Sequence, residues 1–153
     1  MKIKIAFICI GNSCRSQIAE GFAKYLGNEL LGKIIEVYSA GTYPAYGVNP
    51  AAVAVMKEKG IDINSQYPKT IDEIPSDLDI VITMGCNVEC PYLPSPYRED
   101  WGIEDPVGMA MEFFREVRDV IESKVSYLID SVKNSGLLDE VIEKLKSKQH
   151  AKN

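Results

Sequence analysis

The sequence predicts an α/β fold in three layers, a central four-stranded parallel sheet with helices on both faces. Three observations predict it. The chain has 153 residues, the size of one domain with one core. Short apolar runs alternate with longer stretches of helical periodicity, the pattern of a parallel sheet covered on both sides. And Met1-Lys2-Ile3-Lys4 leads into a short apolar run ending at Ile10, most simply read as a buried strand.

The elements follow in order. Ile3 to Ile8 reads as the first strand. From Ser13 to Leu31, Ile18, Ala19, Phe22, Ala23 and Leu26 recur at helical spacing. Ile34 to Tyr38 is a second strand, and Gly41 to Gly47, with Pro44, a turn-rich loop. Asn49-Pro50 reads as a helix start, a capping side chain followed by proline in the first turn. Val53 and Met56 supply that helix's buried face and Gly60 ends it. Asp79 to Thr83 is a third strand. Gly85 to Pro106 holds Pro91, Pro94, Pro96 and Pro106, four of the eight prolines, and reads mostly as loop, with a short fourth strand near Trp101 to Ile103. A long helix from about Met109 to Val132 lines one face with Phe113, Phe114, Val117, Val120, Ile121, Leu128 and Ile129. Leu137, Leu138, Val141, Ile142 and Leu145 then repeat at helical spacing, as in a docked surface helix.

Composition narrows the function. Hydrophobic residues are 46% and charged residues 25%, the balance of an ordinary soluble globular domain. A net charge of -5 argues against general affinity for nucleic acid. The N-terminal apolar run is too short to span a membrane and lacks a cleavage site, so a cytoplasmic protein is expected. Thiols there are mostly kept reduced. The four cysteines are therefore expected to serve catalysis, redox chemistry or metal binding rather than as structural staples. The single histidine, His150, lies in the polar tail and leaves no material for a histidine metal site or a Cys-His dyad.

The strongest chemical signal is Cys9-Ile10-Gly11-Asn12-Ser13-Cys14-Arg15-Ser16, a cysteine, five residues and an arginine, between a strand and a helix. Gly11 permits a tight loop, whose backbone N–H groups can converge on an anion. The following helix aims its positive end at the same point. Arg15 can grip two oxygens of a tetrahedral anion at once. That positive field favours Cys9 as the thiolate, and Ser16 can donate a hydrogen bond to the sulfur. A buried cysteine and a surface arginine of no function would make the same spacing, but not in that strand-and-helix setting.

Two further signals follow. Cys86 and Cys90 flank a proline- and glycine-bounded loop after the third strand, close enough in sequence to close a disulfide. A rival reading gathers Cys9, Cys14, Cys86 and Cys90 into a four-thiolate zinc site. It would quench the nucleophile and leave Arg15 unexplained, so no metal and no cofactor are expected. Asp105-Pro106, in a loop before the long helix, can return over the cradle and protonate a leaving oxygen.

These motifs resemble a known family. Residues 9–17, with Ala19-Glu20-Gly21, Tyr38-Ser39-Ala40-Gly41, Gly47-Val48-Asn49-Pro50, Ile61-Asp62-Ile63, Cys90-Pro91-Tyr92-Leu93-Pro94, Trp101-Gly102, Asp105-Pro106 and Arg115-Glu116-Val117-Arg118, are similar to arsenate reductases of the low-molecular-weight tyrosine phosphatase superfamily. The resemblance spans roughly residues 3 to 130. It implies a flavodoxin-like fold, with residues 1–133 as the catalytic domain and 134–153 as a helical extension of the same unit. Gln17 stands where the phosphatases usually carry proline, which favours the reductase branch.

The resemblance also implies the chemistry. Cys9 attacks arsenate while Asp105 protonates the leaving oxygen. Cys86 attacks the adduct and releases arsenite. Cys90 attacks Cys86, and thioredoxin or a similar thiol reductant opens the Cys86–Cys90 disulfide. Cys14 is structural. The Cys86–Cys90 gap is shorter than in some members. Potassium-binding members supply Asn, Glu, Ser and an acidic ligand beside the loop. Asn12, Glu20 and Ser39 match, but Lys69 stands about where the acidic ligand would be, so potassium is not expected. The alternatives are a tyrosine phosphatase acting through a phosphocysteine at Cys9, and a non-catalytic redox sensor.

Overall fold

The computed structural model describes residues 2–85 and 93–151. Strand β1 is Ile3–Cys9, helix α1 Arg15–Leu26, β2 Ile35–Gly41 and α2 Pro50–Lys57. A single 3-10 turn, Ile71–Glu73, precedes β3, Ile80–Thr83, and β4, Tyr97–Asp100. Two helices close the chain, α3 at Met111–Ser135 and α4 at Leu138–Ala151. The four strands form one parallel sheet in the order β2-β1-β3-β4.

That order follows from composition. The two central strands, β1 and β3, are buried nearly throughout, which is why they read as unbroken apolar runs. From β1, Ile5, Phe7 and Cys9 join the core under α1, α2, α3 and α4, while Ala6 and Ile8 pack on the opposite face against Ile74, Leu78 and Val81. The 3-10 turn's Ile71 covers this second face, with Leu93. Full burial of each large apolar side chain stabilises the fold by roughly 1.5–3 kcal/mol, and Ile5, Phe7 and Ile8 are all fully buried.

The fourth strand lies at Tyr97–Asp100, not at the expected Trp101–Ile103. As an edge strand it needs one apolar anchor, Tyr97, and can otherwise be polar, so Arg98-Glu99-Asp100 hid it from a hydrophobicity reading. Trp101 adds one bond to Thr83, and Gly102, with φ 59°, then turns the chain away. The first helix runs only from Arg15 to Leu26, because residues 10–14 form the loop and Gly27 closes the last turn. The second helix buries Ala52 and Val55 beside Met56, while Val53 is only partly buried. In α3 the buried face is Phe114, Val117, Ile121, Val125, Leu128, Ile129 and Val132. Val120, expected on that face, is exposed. Gly136, left-handed at φ 76°, ends α3, and α4 folds back with Val141, Ile142 and Leu145 buried and Leu137 exposed.

Strand β1 sits between β2 and β3, so the connections leave it in opposite directions. The crevice beyond the carboxyl ends of β1 and β3 is where such sheets bind ligands. Cys9, Met84 and Gly85 stand at its rim.

Candidate functional site

β1 ends on Cys9, paired with Gly41 of β2. The approach is close: a Cβ on Gly41 would lie 2.5 Å from the Ile10 carbonyl oxygen and 3.0 Å from Asn12, so only glycine fits. The chain then turns through Asn12, a non-glycine residue at φ 49°.

The loop's carbonyls are tied outward. Ile10 accepts from the Tyr43 N–H at 2.8 Å, Gly11 from Ala45 at 2.9 Å and Ser13 from Asn49 at 2.7 Å. The Asn12 carbonyl accepts from the side-chain amide of Gln17 at 2.9 Å. In a trans peptide the carbonyl and the next N–H point in opposite directions, so outward carbonyls leave inward N–H groups. Segment 42–49 thereby backs the outer side of the loop at three of these four carbonyls.

The sulfur of Cys9 accepts from the Asn12 N–H at 3.2 Å and lies 2.8 Å from Ser16 Oγ. The partners of Asn12 and Ser16 form one connected network. The Lys69 N–H donates to Asn12 Oδ1 at 2.9 Å, which orients the Asn12 amide. Its Nδ2 hydrogens then go to Ser16 Oγ at 2.7 Å and Ser39 Oγ at 3.0 Å. Ser39 donates onward to the Glu20 carboxylate. Ser16 accepts a hydrogen bond from Asn12 and still has its own hydroxyl hydrogen, which can be given to the Cys9 sulfur when that sulfur is a thiolate. Glu20 is buried and compensated by two cations, Lys24 at 2.6 Å and Lys69 at 3.7 Å. The Lys69 ammonium also donates to the Tyr67 carbonyl at 2.8 Å.

Arg15 is buried at the crevice. Its Nη1 donates to the carbonyls of Met84 and Ile103, both at 2.7 Å, which spends that nitrogen's hydrogens on fixing the side chain. The remaining edge, Nε and Nη2, keeps the planar geometry that can fork across two oxygens. Asp105 Oδ2 lies 4.0 Å from Nη2, and its Oδ1 accepts from the Val107 N–H at 3.1 Å. Ile10, Arg15, Gly85, Ile103 and Asp105 line one open cleft.

Cys14 is buried and behaves differently from a nucleophile. Loss of solvent pushes its thiol up to about 12, with the charges of Asp105 and Cys9 adding to the shift. It stays neutral near pH 7. Of the residues expected to carry chemistry, the fold brings together Cys9, Ile10 to Ser16 and Asp105. Cys86 and Cys90 lie outside the described residues. Gly85, at φ 102°, lines the cleft immediately before them and donates to Asp100 Oδ1 at 2.8 Å. Among the described residues no group of three His, Cys, Asp or Glu could hold a metal ion, and no helix is long and apolar enough to cross a membrane.

Sequence reasoning missed the supports: Gln17 as a hydrogen-bond donor, Gln66 behind it, and the Tyr43, Ala45 and Asn49 amides. Gln17 carried a signal, a polar residue beside Ile18 in the part of α1 that is buried on all sides.

Residues 4–138 match the family described as low molecular weight phosphotyrosine protein phosphatase. Arsenate reductase 2 of Staphylococcus epidermidis is 44% identical over 128 residues, covering 81% of this chain and 94% of the relative. A glutaredoxin arsenate reductase of Synechocystis is 44% identical over 133 residues, covering 84% of this chain and 98% of the relative. A solved arsenate reductase in a phosphate-binding state is 43% identical, with TM-score 0.76, over 86% of this chain and 99% of that one. A thioredoxin-dependent arsenate reductase of Corynebacterium glutamicum is 30% identical, with TM-score 0.69, over 88% of this chain and 63% of that one.

Proposed function

Because the chain belongs to the low molecular weight phosphotyrosine protein phosphatase family, we propose that it is an arsenate reductase of that family, a cytoplasmic enzyme of arsenic resistance. The observation that carries the reading is the Cys9 sulfur, bonded by the Asn12 N–H and in hydrogen-bond contact with the Ser16 hydroxyl, at the mouth of a loop closed by Arg15. Arsenate binds on the inward N–H groups of residues 10–16 and on the Arg15 fork. The Cys9 thiolate attacks arsenic, an As–O bond breaks, and Asp105 delivers the proton that lets that oxygen leave as water. Cys86 thiolate then attacks the Cys9 sulfur. The S–As electron pair stays with arsenic, which departs as arsenite, reduced by two electrons, and a Cys9–Cys86 disulfide remains. Cys90 thiolate attacks Cys86 and frees Cys9, and an external dithiol of the thioredoxin or glutaredoxin class reduces the Cys86–Cys90 disulfide. The name of the Synechocystis relative and that of the Corynebacterium enzyme support either class of reductant.

The family match also supports a second reading, hydrolysis of a phosphotyrosine or aryl phosphate through a phosphocysteine at Cys9. The two reactions share Cys9, Arg15 and Asp105 and part at the second thiol. Cys86→Ser stops arsenite release, because no thiolate remains in line with the Cys9 adduct. Cys90→Ser completes one turnover and traps the Cys9–Cys86 disulfide, visible in peptide maps of the non-reduced protein. Both variants keep any aryl phosphatase activity of the wild type. Repeated arsenate turnover at the wild-type rate by both serine variants would overturn the relay and favour the phosphatase reading.

A further inference from the structure

The outward carbonyls of the anion loop have unequal anchors. Those of Ile10, Gly11 and Ser13 are held by backbone N–H groups, which no substitution short of proline removes. The carbonyl of Asn12 is held by a side chain, the Gln17 amide. The Asn12–Ser13 peptide is also the one that follows a left-handed, non-glycine residue, where the backbone gains least from local preference.

We propose that Gln17 is a positioning residue that points the Ser13 N–H at the oxyanion by holding the Asn12 carbonyl outward. Its geometry suits that task. Gln17 is fully buried on the first turn of α1. Its Nε2 donates to Asn12 O at 2.9 Å, to Asn12 Oδ1 at 3.1 Å and to Tyr67 O at 3.0 Å, three acceptors that fix which end of the amide faces the loop. Its Oε1 accepts from Gln66 Nε2 at 2.8 Å, and Gln66 donates also to the Gln17 carbonyl at 3.0 Å. The amide can neither flip nor swing away without breaking this set. Without it, the Asn12 carbonyl is buried and unpaired, and rotation of the Asn12–Ser13 peptide to find a partner turns the Ser13 N–H out of the cradle.

Sulfur and anion then depend on different parts of the loop. The Cys9 sulfur is held by the Asn12 N–H and Ser16, and Asn12 Oδ1 keeps the Lys69 N–H when Gln17 is gone. Loss of Gln17 therefore weakens anion binding while leaving the contacts of the Cys9 sulfur with Asn12 and Ser16 in place, a split that general collapse of the loop does not produce.

The test is protection of Cys9 from iodoacetamide by inorganic phosphate, followed by peptide mapping, so that arsenate turnover is not required. The inference rests on residues 9–16 being an oxyanion cradle. Protection of the wild type examines that point by itself, and its absence would overturn the cradle and the Gln17 proposal together. In Gln17→Met, close in size and without a donor, half-protection should need at least about tenfold more phosphate, the loss of one hydrogen bond to a charged group. The pH dependence of alkylation without phosphate should match wild type. Unchanged protection overturns the proposal, as does an alkylation profile that shifts along with affinity. Should Gln17→Met fail to fold, Gln66→Leu at a half-buried position releases the Gln17 amide from behind. It should weaken protection in the same direction by a smaller factor, and unchanged protection there counts equally against the proposal.

Discussion

The two sides of the cleft are built differently. On the Cys9 side, residues 9–16 have their carbonyls anchored, the Cys9 sulfur paired and the Asn12 side chain bonded at both ends. On the Asp105 side, that carboxylate accepts one bond from Val107 and stands 4.0 Å from Arg15, more than half of its side chain open to water. Gly102 and Gly108, both at positive φ, bracket it, and Val107 and Met109 beside it are exposed. One side is fixed by its own hydrogen bonds, and the other is tied down by few. The division suits the chemistry, since an oxyanion is stabilised most by dipoles already oriented, whereas an acid must follow an oxygen that is leaving.

Substitutions on each side sharpen this contrast. The largest effect is expected for Cys9→Ser, which removes the nucleophile from the rigid side. Arsenate reduction and any aryl phosphatase activity should both vanish, and residual turnover above about a thousandth of wild type would sink the assignment. Asp105→Asn should cost less, on the order of 10²–10⁴-fold in kcat with a poor leaving group. That cost should shrink for an aryl phosphate whose leaving group departs unprotonated. An equal loss with both leaving groups would show that Asp105 shapes the cleft rather than supplying a proton.

The smallest effect is expected at Cys14, inside the rigid side but outside the chemistry. Cys14→Ala should keep activity within a few-fold of wild type. Its signature lies in stability against pH. The folded state raises the Cys14 thiol from its ordinary 9.0 to about 12 because burial disfavours the thiolate. The fold therefore prefers the neutral form, and that contribution is present below pH 9 and lost as pH climbs from 9 toward 12. Thermal melts of wild type and Cys14→Ala should differ most at neutral pH and converge as pH rises above 9. A constant gap would mean that Cys14 contributes packing alone.

The same contrast governed what could be read from the sequence. The cradle's core was legible because a strand, a glycine, a cysteine and an arginine at fixed spacing carry their own physical logic within eight residues. The sheet was legible because β1 and β3 are buried on both faces and so read as apolar runs. β4 was misplaced because an edge strand can be polar. The anchors of the loop were missed because Tyr43, Ala45, Asn49 and Lys69 act there through backbone N–H groups, which leave no mark on residue identity. Lys69 was flagged for its charge, and its ammonium does approach Glu20.

The placement of Trp101 carries a practical consequence. It is the chain's single tryptophan, with its ring 5.8 Å from Phe7 of the sheet and 5.8 Å from the Lys124 amine of α3. Leu145 and Gln149 of α4 line the same small cavity. Two residues further along, the Ile103 carbonyl holds Arg15. The protein thus contains a single tryptophan fluorophore wired at one end to its C-terminal helix and at the other to Arg15. Its emission should report the docking of that helix and the filling of the site without any added label.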